Sequence, residues 1–308
     1  MFEQLGVVTN IWAKRMEGGD RFEDLALQFG AHGFTCMEVR DGDYLRNSEF
    51  GGLIQEIERA MANYTADQWK ALCDAIRRDE SWRDPIKAED RSLFDRVSEF
   101  VGKIQNLILS YAMSHSWLSQ PQDVEADNRR IIQAKKLAYL LCPHQARLRL
   151  VDLESTPFRE SSTGEIQPQI AIANLKRYRS LLPNAPMVFA VENGRQPATF
   201  TLEVAVQGGA LLTYDEANTY RPDGTTLNVP DAFWNMVKIE NLTSVHFKQK
   251  TAVGVLSQVD DGFVDFAAIA HRLKGRGYRG DLLLENTATD QPLEDAIKSR
   301  EYLLRLDT

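Results

Sequence analysis

Short apolar runs alternate with longer amphipathic stretches along this chain, a pattern typical of strands that are each followed by a helix. The apolar runs predict eight strands, at Leu5–Thr9, Thr35–Val39, Leu107–Ala112, Ala146–Val151, Met187–Val191, Leu211–Tyr214, Ser244–Phe247 and Asp281–Leu284. Amphipathic stretches such as Asp123–Leu141 and Pro292–Leu306 predict helices. Strands separated by helices run parallel, because each crossover returns the chain to the same edge.

Eight such units predict an α/β fold, a (β/α)₈ TIM barrel, in which residues 1–308 form a single domain. The span 41–105 between the second and third strands is too long for one helix. We therefore expect a helical extension there, which includes Ala66–Arg78 and Ala88–Val101. A doubly wound open sheet is the alternative, but the sequence has neither a GxGxxG nor a GxxxxGK loop to support it.

Composition narrows the class of protein. Hydrophobic residues make up 43% of the chain and charged residues 26%, as in a globular protein, and the net charge of −8 disfavours a nucleic-acid partner. No apolar stretch approaches the roughly 20 residues of a membrane helix, so we expect no membrane partner. The three cysteines, Cys36, Cys73 and Cys142, form no CxxC pair, which favours reduced thiols and a cytoplasmic location. Whether the protein forms a homo-oligomer is left open.

Residue types that bind metal ions stand at the ends of four successive strands. These residues are Glu192, Asp215, His246 and Glu285, at the ends of the fifth to eighth strands. A lone residue of this kind is usually a helix cap or a structural side chain. Because a TIM barrel gathers the C-terminal ends of its strands at one rim, four at the same offset predict a shared site. Three carboxylates and one imidazole suit Mn²⁺, Mg²⁺, Co²⁺ or Zn²⁺.

Short motifs in the C-terminal part carry a resemblance to a known family. They lie at Glu192–Asn193, Asp215–Asn218, His246–Lys248, Asp261–Asp265 and Leu273–Glu285. In these motifs the chain resembles the xylose-isomerase-like TIM barrels, which include sugar phosphate isomerases and epimerases, inosose dehydratases and relatives of AP endonuclease type 2. The resemblance implies one divalent metal ion, for which we expect Mn²⁺ first, held by Glu192, Asp215, His246 and Glu285. It also implies a substrate or phosphate contact for Lys248 and polar positioning roles in the substrate site for Asn193 and Asn218.

Three departures from the family pattern bear on the reaction. Gly194 follows Glu192–Asn193 where many members have histidine, Asn218 stands where ketose 3-epimerases have histidine, and Gln249 replaces the usual aspartate after His-x-Lys. These differences favour the broader isomerase and dehydratase group over simple ketose epimerisation. The five histidines and the negative charge disfavour the endonuclease branch.

The leading hypothesis is a metal-dependent isomerase or epimerase of a small sugar or polyol in carbohydrate metabolism. It would transfer a proton next to a carbonyl through an enediolate. Glu192 and Glu285 would be either the acid and base or metal ligands only. The alternatives are a metal-dependent dehydratase of a keto-inositol or dehydroshikimate-like substrate, and a non-catalytic barrel subunit.

Three residues of the first half are further candidates for the site. His115 follows the third strand and is a candidate acid or base, since its unperturbed pKa lies near neutrality. Glu38, in the second strand, is a candidate to bind substrate hydroxyls. Trp12, after the first strand, is either an apolar wall for a sugar face or a core residue.

Overall fold

Eight parallel strands close into a barrel in a computed structural model of the chain. The structure describes residues 2, 4–42, 45, 48–77, 86–142, 145–154, 167–183, 187–229 and 231–306. The barrel strands are β1 Leu5–Val8, β2 Met37–Arg40, β3 Ile108–Ser114, β4 Arg147–Val151, β5 Val188–Glu192, β6 Leu211–Asp215, β7 Leu242–Phe247 and β10 Asp281–Leu284. They follow one another in chain order, and β10 pairs with β1 to close the ring. The predicted (β/α)₈ TIM barrel is confirmed.

Helices surround the barrel. They are α1 Ala13–Glu17, α2 Phe22–Ala31, α3 Glu49–Met61, α4 Ala66–Arg77, α5 Arg91–Ile104, α6 Val124–Leu141, α7 Pro168–Ser180, α8 Ala198–Gly208, α9 Ala232–Met236, α10 Phe266–Gly275 and α11 Pro292–Leu306. Arg78, the predicted end of one helix, lies outside the described residues. A short antiparallel hairpin, β8 Lys250–Thr251 and β9 Gly254–Val255, follows β7. None of the described helices is both long and apolar enough to cross a membrane.

The helices α3, α4 and α5 form the extension between β2 and β3. Aromatic side chains of this extension contact the neighbouring helices α2 and α6. The rings of Phe50 in α3 and Phe100 in α5 stack at 4.5 Å. The ring of Phe22 in α2 stacks on Phe50 at 4.2 Å. On the other side, the indole N–H of Trp69 in α4 donates to the carbonyl of Lys136 in α6 at 3.0 Å. The extension therefore packs between α2 and α6.

Polar side chains fill part of the barrel interior. Because successive residues of a strand point to opposite faces, every second residue of each strand faces inward. The Ser110 hydroxyl in β3 donates to Glu38 of β2 at 2.8 Å. Thr213 and Ser244 hydrogen-bond at 2.9 Å. Nearer the N-terminal ends, Arg147 of β4 donates across the barrel to Asp281 of β10 at 2.8 Å. These layers form the floor beneath the C-terminal rim.

Candidate metal centre

Four strand ends bring metal-binding side chains to one point of the rim. Glu192 and Asp215 are the last residues of β5 and β6, His246 lies in β7, and Glu285 directly follows β10. Each offers a ligand atom, and these atoms all lie within 4.8 Å of one another. All four residues are buried. The structure thus brings together the residues that the sequence predicted as ligands.

A buried arginine supports this cluster from the barrel interior. Arg149 of β4 is 1% exposed, and its guanidinium donates to both Glu38 and Glu192. Burial opposes ionisation of Glu192, but Arg149 and His246 together lower the pKa of Glu192 to about 2. Sequence reasoning missed Arg149. Its alternation with Leu148 and Leu150 was the available signal, because a charged residue between buried ones marks an inward polar face.

Lys248 joins two of the three carboxylates predicted as ligands, on the other side of the centre. Its Nζ donates to Oε2 of Glu285 at 2.8 Å and lies 2.7 Å from Oδ2 of Asp215, an ion pair that leaves this oxygen without a hydrogen bond. Burial raises the pKa of Asp215 to about 6, against the attraction of Lys248. Burial would also raise the pKa of Glu285, but Lys248 and His246 hold it well below its usual value.

The carboxylates around His246 favour the protonated, charged form of its imidazole ring. Its Nδ1 lies 3.2 Å from Oε2 of Glu285 and 3.6 Å from Oε1 of Glu192. Burial favours the neutral ring, but Glu192 and Glu285 raise the pKa of His246 to about 10. Because a metal ligand must be the neutral imidazole, a metal ion and a proton would compete for His246.

The charges and donor atoms of the centre fit one divalent cation. Among the residues that the structure describes, Glu38, Glu192, Asp215 and Glu285 form ion pairs with two buried cations besides His246, namely Arg149 and Lys248. With His246 neutral, two negative charges remain, which one divalent ion balances. Oδ2 of Asp215 and Nε2 of His246 are also buried without a hydrogen-bond partner. Buried polar atoms without a hydrogen-bond partner are costly unless something else binds them.

Asn193 and Asn218 hold two of the candidate ligands in place. The Asn193 side chain donates to the Asp215 carbonyl at 2.6 Å and accepts from the Asp215 N–H at 2.9 Å, which fixes the end of β6. The Asn218 side chain donates to Oε1 of Glu192 at 2.8 Å and to the Asn193 carbonyl at 3.0 Å. The two amides therefore orient Glu192 and Asp215.

His115 lies away from the four ligands. Its Nε2 lies 2.9 Å from Oδ1 of Asp127 in α6 and 3.1 Å from the hydroxyl of Tyr178 in α7. The preceding residue, Ser114, faces the barrel interior and accepts from Arg40 at 2.9 Å, so His115 points outward to the helices. Burial lowers the pKa of His115, although Asp127 opposes the shift.

The two other candidates from the first half of the chain, Glu38 and Trp12, lie in different surroundings. Glu38 lies in the cluster, where Oε1 also lies 3.6 Å from Nε2 of His246. Trp12 is fully buried, and its ring packs at 5.3 Å against those of Phe22 and Phe29 in α2. The structure therefore places Glu38 in the cluster of candidate ligands, whereas the Trp12 ring packs against α2.

The loop after β5 is pressed against the loop after β4. A Cβ atom on Gly194 would collide with the carbonyl oxygen of Asp152. Gln196 secures the contact, since its side chain accepts from the Gly194 N–H at 3.0 Å and donates to the Asp152 carbonyl at 3.5 Å. Between these two buried residues, Arg195 is exposed. The loop is thus fixed close to the metal centre and presents one cationic side chain.

Solved structures of similar fold cover the whole chain. No family model matches the sequence. A search of curated proteins also finds no match. A xylose isomerase domain containing protein from Salmonella typhimurium is 12% identical, with a TM-score of 0.61 over 99% of this chain and 98% of that one. D-psicose 3-epimerase from Clostridium cellulolyticum, solved with D-tagatose, is 11% identical, with a TM-score of 0.58 over 99% of both chains.

A third similar structure is the IOLI protein with a bound zinc atom. It is 11% identical to this chain and superposes with a TM-score of 0.58, over 99% of this chain and 98% of that one. Identities this low establish the fold and not the activity. The superpositions nevertheless extend over nearly the full length of each chain. The chain has the fold of the xylose isomerase-like TIM barrels.

Proposed function

We propose that the protein is a divalent-metal-dependent isomerase or epimerase of a sugar or polyol, which acts by proton transfer next to a carbonyl. The observation that carries the proposal is the convergence of Glu192, Asp215, His246 and Glu285 at the rim of the barrel. Two proteins of similar fold support the class of reaction and cofactor: one is a D-psicose 3-epimerase and the other carries a zinc atom.

The four convergent side chains would hold the metal ion. When bound, it would supply Lewis-acid stabilisation of the negative charge that develops on the substrate carbonyl oxygen. We expect Mn²⁺, and the mixture of carboxylates with one imidazole also accommodates Mg²⁺, Co²⁺ or Zn²⁺. Lys248, which lies between Asp215 and Glu285, is the proposed contact for a further substrate oxygen.

The hydrogen bonds of the two glutamates differ, and this difference supports Glu285 as the base. Arg149 occupies one carboxylate oxygen of Glu192 and Asn218 occupies the other. Oε2 of Glu285 accepts from Lys248, but no hydrogen bond from the described residues reaches its Oε1. A free carboxylate oxygen at this rim can take a proton from the carbon beside a carbonyl. We therefore assign proton transfer to Glu285, in addition to its place among the proposed ligands, and ligand binding alone to Glu192.

A single base favours isomerisation among the possible reactions. One carboxylate can remove a proton from a carbon and return it to the neighbouring carbon on the same face, which moves a carbonyl between the two. Inversion at one carbon requires a second group on the opposite face. His115, the other acid-base candidate, faces α6 and α7. The proposal is therefore an isomerase first and an epimerase second.

The test is a screen of sugars, sugar acids and inososes with the Mn²⁺-loaded protein in deuterated water. We expect deuterium to enter next to the carbonyl without loss of water, as NMR spectroscopy and mass spectrometry would show. Glu285→Gln should abolish exchange, and Glu301→Gln, an exposed glutamate in α11, should not. Retained activity of Glu285→Gln would contradict the assigned base. Net dehydration would instead indicate a lyase, and failure of the wild-type protein to bind Mn²⁺ would favour a non-catalytic barrel.

A further inference from the structure

We infer that Glu38 is a positioning residue for the metal centre, which accepts the hydrogen of Nε2 of His246 and so leaves Nδ1 as the nitrogen that binds the metal ion. This role differs from the contact with substrate hydroxyls that the sequence suggested. The inference rests on the proposed function for the identity of the ligands. It concerns the ring of one ligand and can be measured without turnover.

The two ring nitrogens of His246 face different carboxylates. Nδ1 lies 3.2 Å from Oε2 of Glu285 and 3.6 Å from Oε1 of Glu192, and both of these residues are proposed ligands. Nε2 lies 3.6 Å from Oε1 of Glu38 and has no hydrogen-bond partner within the described part of the chain. Nδ1 is therefore the nitrogen on the side of the other ligands, and Nε2 lies on the side of Glu38.

Burial makes an acceptor for Nε2 necessary. His246 is 2% exposed and Glu38 is 1% exposed, so water does not replace a missing partner. A neutral imidazole carries its hydrogen on one nitrogen and offers the other to a metal ion. A buried N–H without an acceptor is costly. The distance of 3.6 Å to Glu38 exceeds a usual hydrogen bond by about half an ångström, which a small rotation of the ring closes.

Glu38 is itself held at both of its carboxylate oxygens. The Ser110 hydroxyl donates to Oε2 at 2.8 Å, and the guanidinium of Arg149 donates to Oε1. Arg149 donates to Glu192 as well, which ties Glu38 to one of the proposed ligands. A carboxylate oxygen has two lone pairs, so Oε1 can accept from Arg149 and from His246 together. The orientation of the Glu38 carboxylate is thus fixed without a metal ion.

The contact between Glu38 and His246 crosses the barrel interior. The four proposed ligands lie at the ends of β5, β6, β7 and β10, whereas Glu38 belongs to β2, the third strand from β7 around the ring. A carboxylate that accepts the second N–H of a metal-binding histidine fixes the tautomer and the orientation of the ring. Glu38 therefore completes the centre from a strand that supplies none of the four ligands.

Heteronuclear NMR spectroscopy of the Zn²⁺-loaded protein with isotope-labelled histidine tests the tautomer directly. We expect the ring of His246 to carry its hydrogen on Nε2 and to bind the ion through Nδ1. Comparison with His246→Gln would identify the signals of this ring among the five histidines. A hydrogen on Nδ1 with Zn²⁺ at Nε2 would overturn the inference, because Glu38 would then have no N–H to accept.

Calorimetric titration with Zn²⁺ tests the contribution of Glu38 to metal binding. Glu38→Met removes the acceptor and should weaken binding about 10- to 100-fold, as for other carboxylates behind metal-binding histidines. Glu38→Gln keeps an oxygen acceptor without the charge and should therefore lose clearly less. Equal losses in the two variants would mean that Glu38 only balances the charge of Arg149, which would contradict the inference. The control Glu23→Met removes a buried glutamate of α2 that pairs with Arg21, and it should bind as the wild type does.

The outcomes separate this inference from the proposed function. If Glu38→Met is folded by circular dichroism and binds Zn²⁺ as tightly as the wild type, Glu38 loses its role and the isomerase proposal stands. If the protein binds Zn²⁺ through Nδ1 but exchanges no substrate hydrogen in the screen, the proposed reaction fails and the role of Glu38 stands. A wild-type protein that binds no metal ion would contradict both. Should Glu38→Met fail to fold, the wild-type tautomer and the affinity of Glu38→Gln decide the matter.

Discussion

At the scale of single residues, Arg149 links two buried carboxylates of the centre. It is buried, contacts two carboxylates and has no hydrogen bond at its Nε. The position of the four ligands could be predicted from sequence, because a barrel collects its strand ends at one rim. The partners of Arg149 could not, because they depend on which face of β4 turns inward and on the depth of each side chain.

Replacement of Arg149 by methionine should destabilise the fold strongly. The variant leaves Glu38 and Glu192 buried without their shared cation, which costs about 3–5 kcal/mol of unfolding free energy when one partner of a buried pair is removed. Urea unfolding at neutral pH would measure the loss. The double variant Arg149→Met/Glu38→Gln should lose less, because one of the unpaired charges is gone. An Arg149→Met variant as stable as the wild type would contradict the buried pairing.

At the scale of elements, the predicted strands and helices agree with the structure where local sequence features mark their ends. The predicted bounds of β10 and α11 match the structure, because a run of three leucines after Asp281 and a Pro292 start mark them clearly. The hairpin β8–β9 was missed, since strands of two residues carry no alternation. The outward direction of His115 was also not predictable from its place after β3, because one residue of register decides between interior and exterior.

The stacked rings of Phe50 and Phe100 should stabilise the helical extension jointly. Phe50→Ala should lower the unfolding free energy by about 3–5 kcal/mol, because it leaves a cavity between α3 and α5. In a double-mutant cycle with Phe100→Ala, the two changes should be coupled by about 0.5–1.5 kcal/mol, as for stacked aromatic pairs. Thermal and urea unfolding would measure these values. Strict additivity would show that the rings do not stabilise each other.

At the scale of the whole molecule, the candidate metal centre spans half of the barrel. Its proposed ligands lie at the ends of β5, β6, β7 and β10, which are consecutive neighbours in the closed ring. A bound cation would tie these four strands together at one end. Because the unfolded chain has no such arrangement, metal binding should favour the folded state.

Manganese should therefore raise the melting temperature, and a chelator should reverse the effect. At a free concentration 100 times the dissociation constant, binding contributes about 2.7 kcal/mol to the unfolding free energy. Calorimetry or fluorimetry with and without Mn²⁺ would measure the shift. Asp215→Asn should lose most of it, whereas Glu301→Gln should keep it. An equal shift in Asp215→Asn would mean that the ion binds elsewhere.

Gly194 has a consequence for any attempt to convert this chain to another reaction of the same fold. Many xylose-isomerase-like proteins carry histidine at this position, but here the backbone of Asp152 occupies the room that any larger residue would need. Installing the imidazole would force two neighbouring loops apart and displace Arg195 with them. Exchange of one amino acid is therefore insufficient, and a redesign would have to rebuild the segment after β4 first.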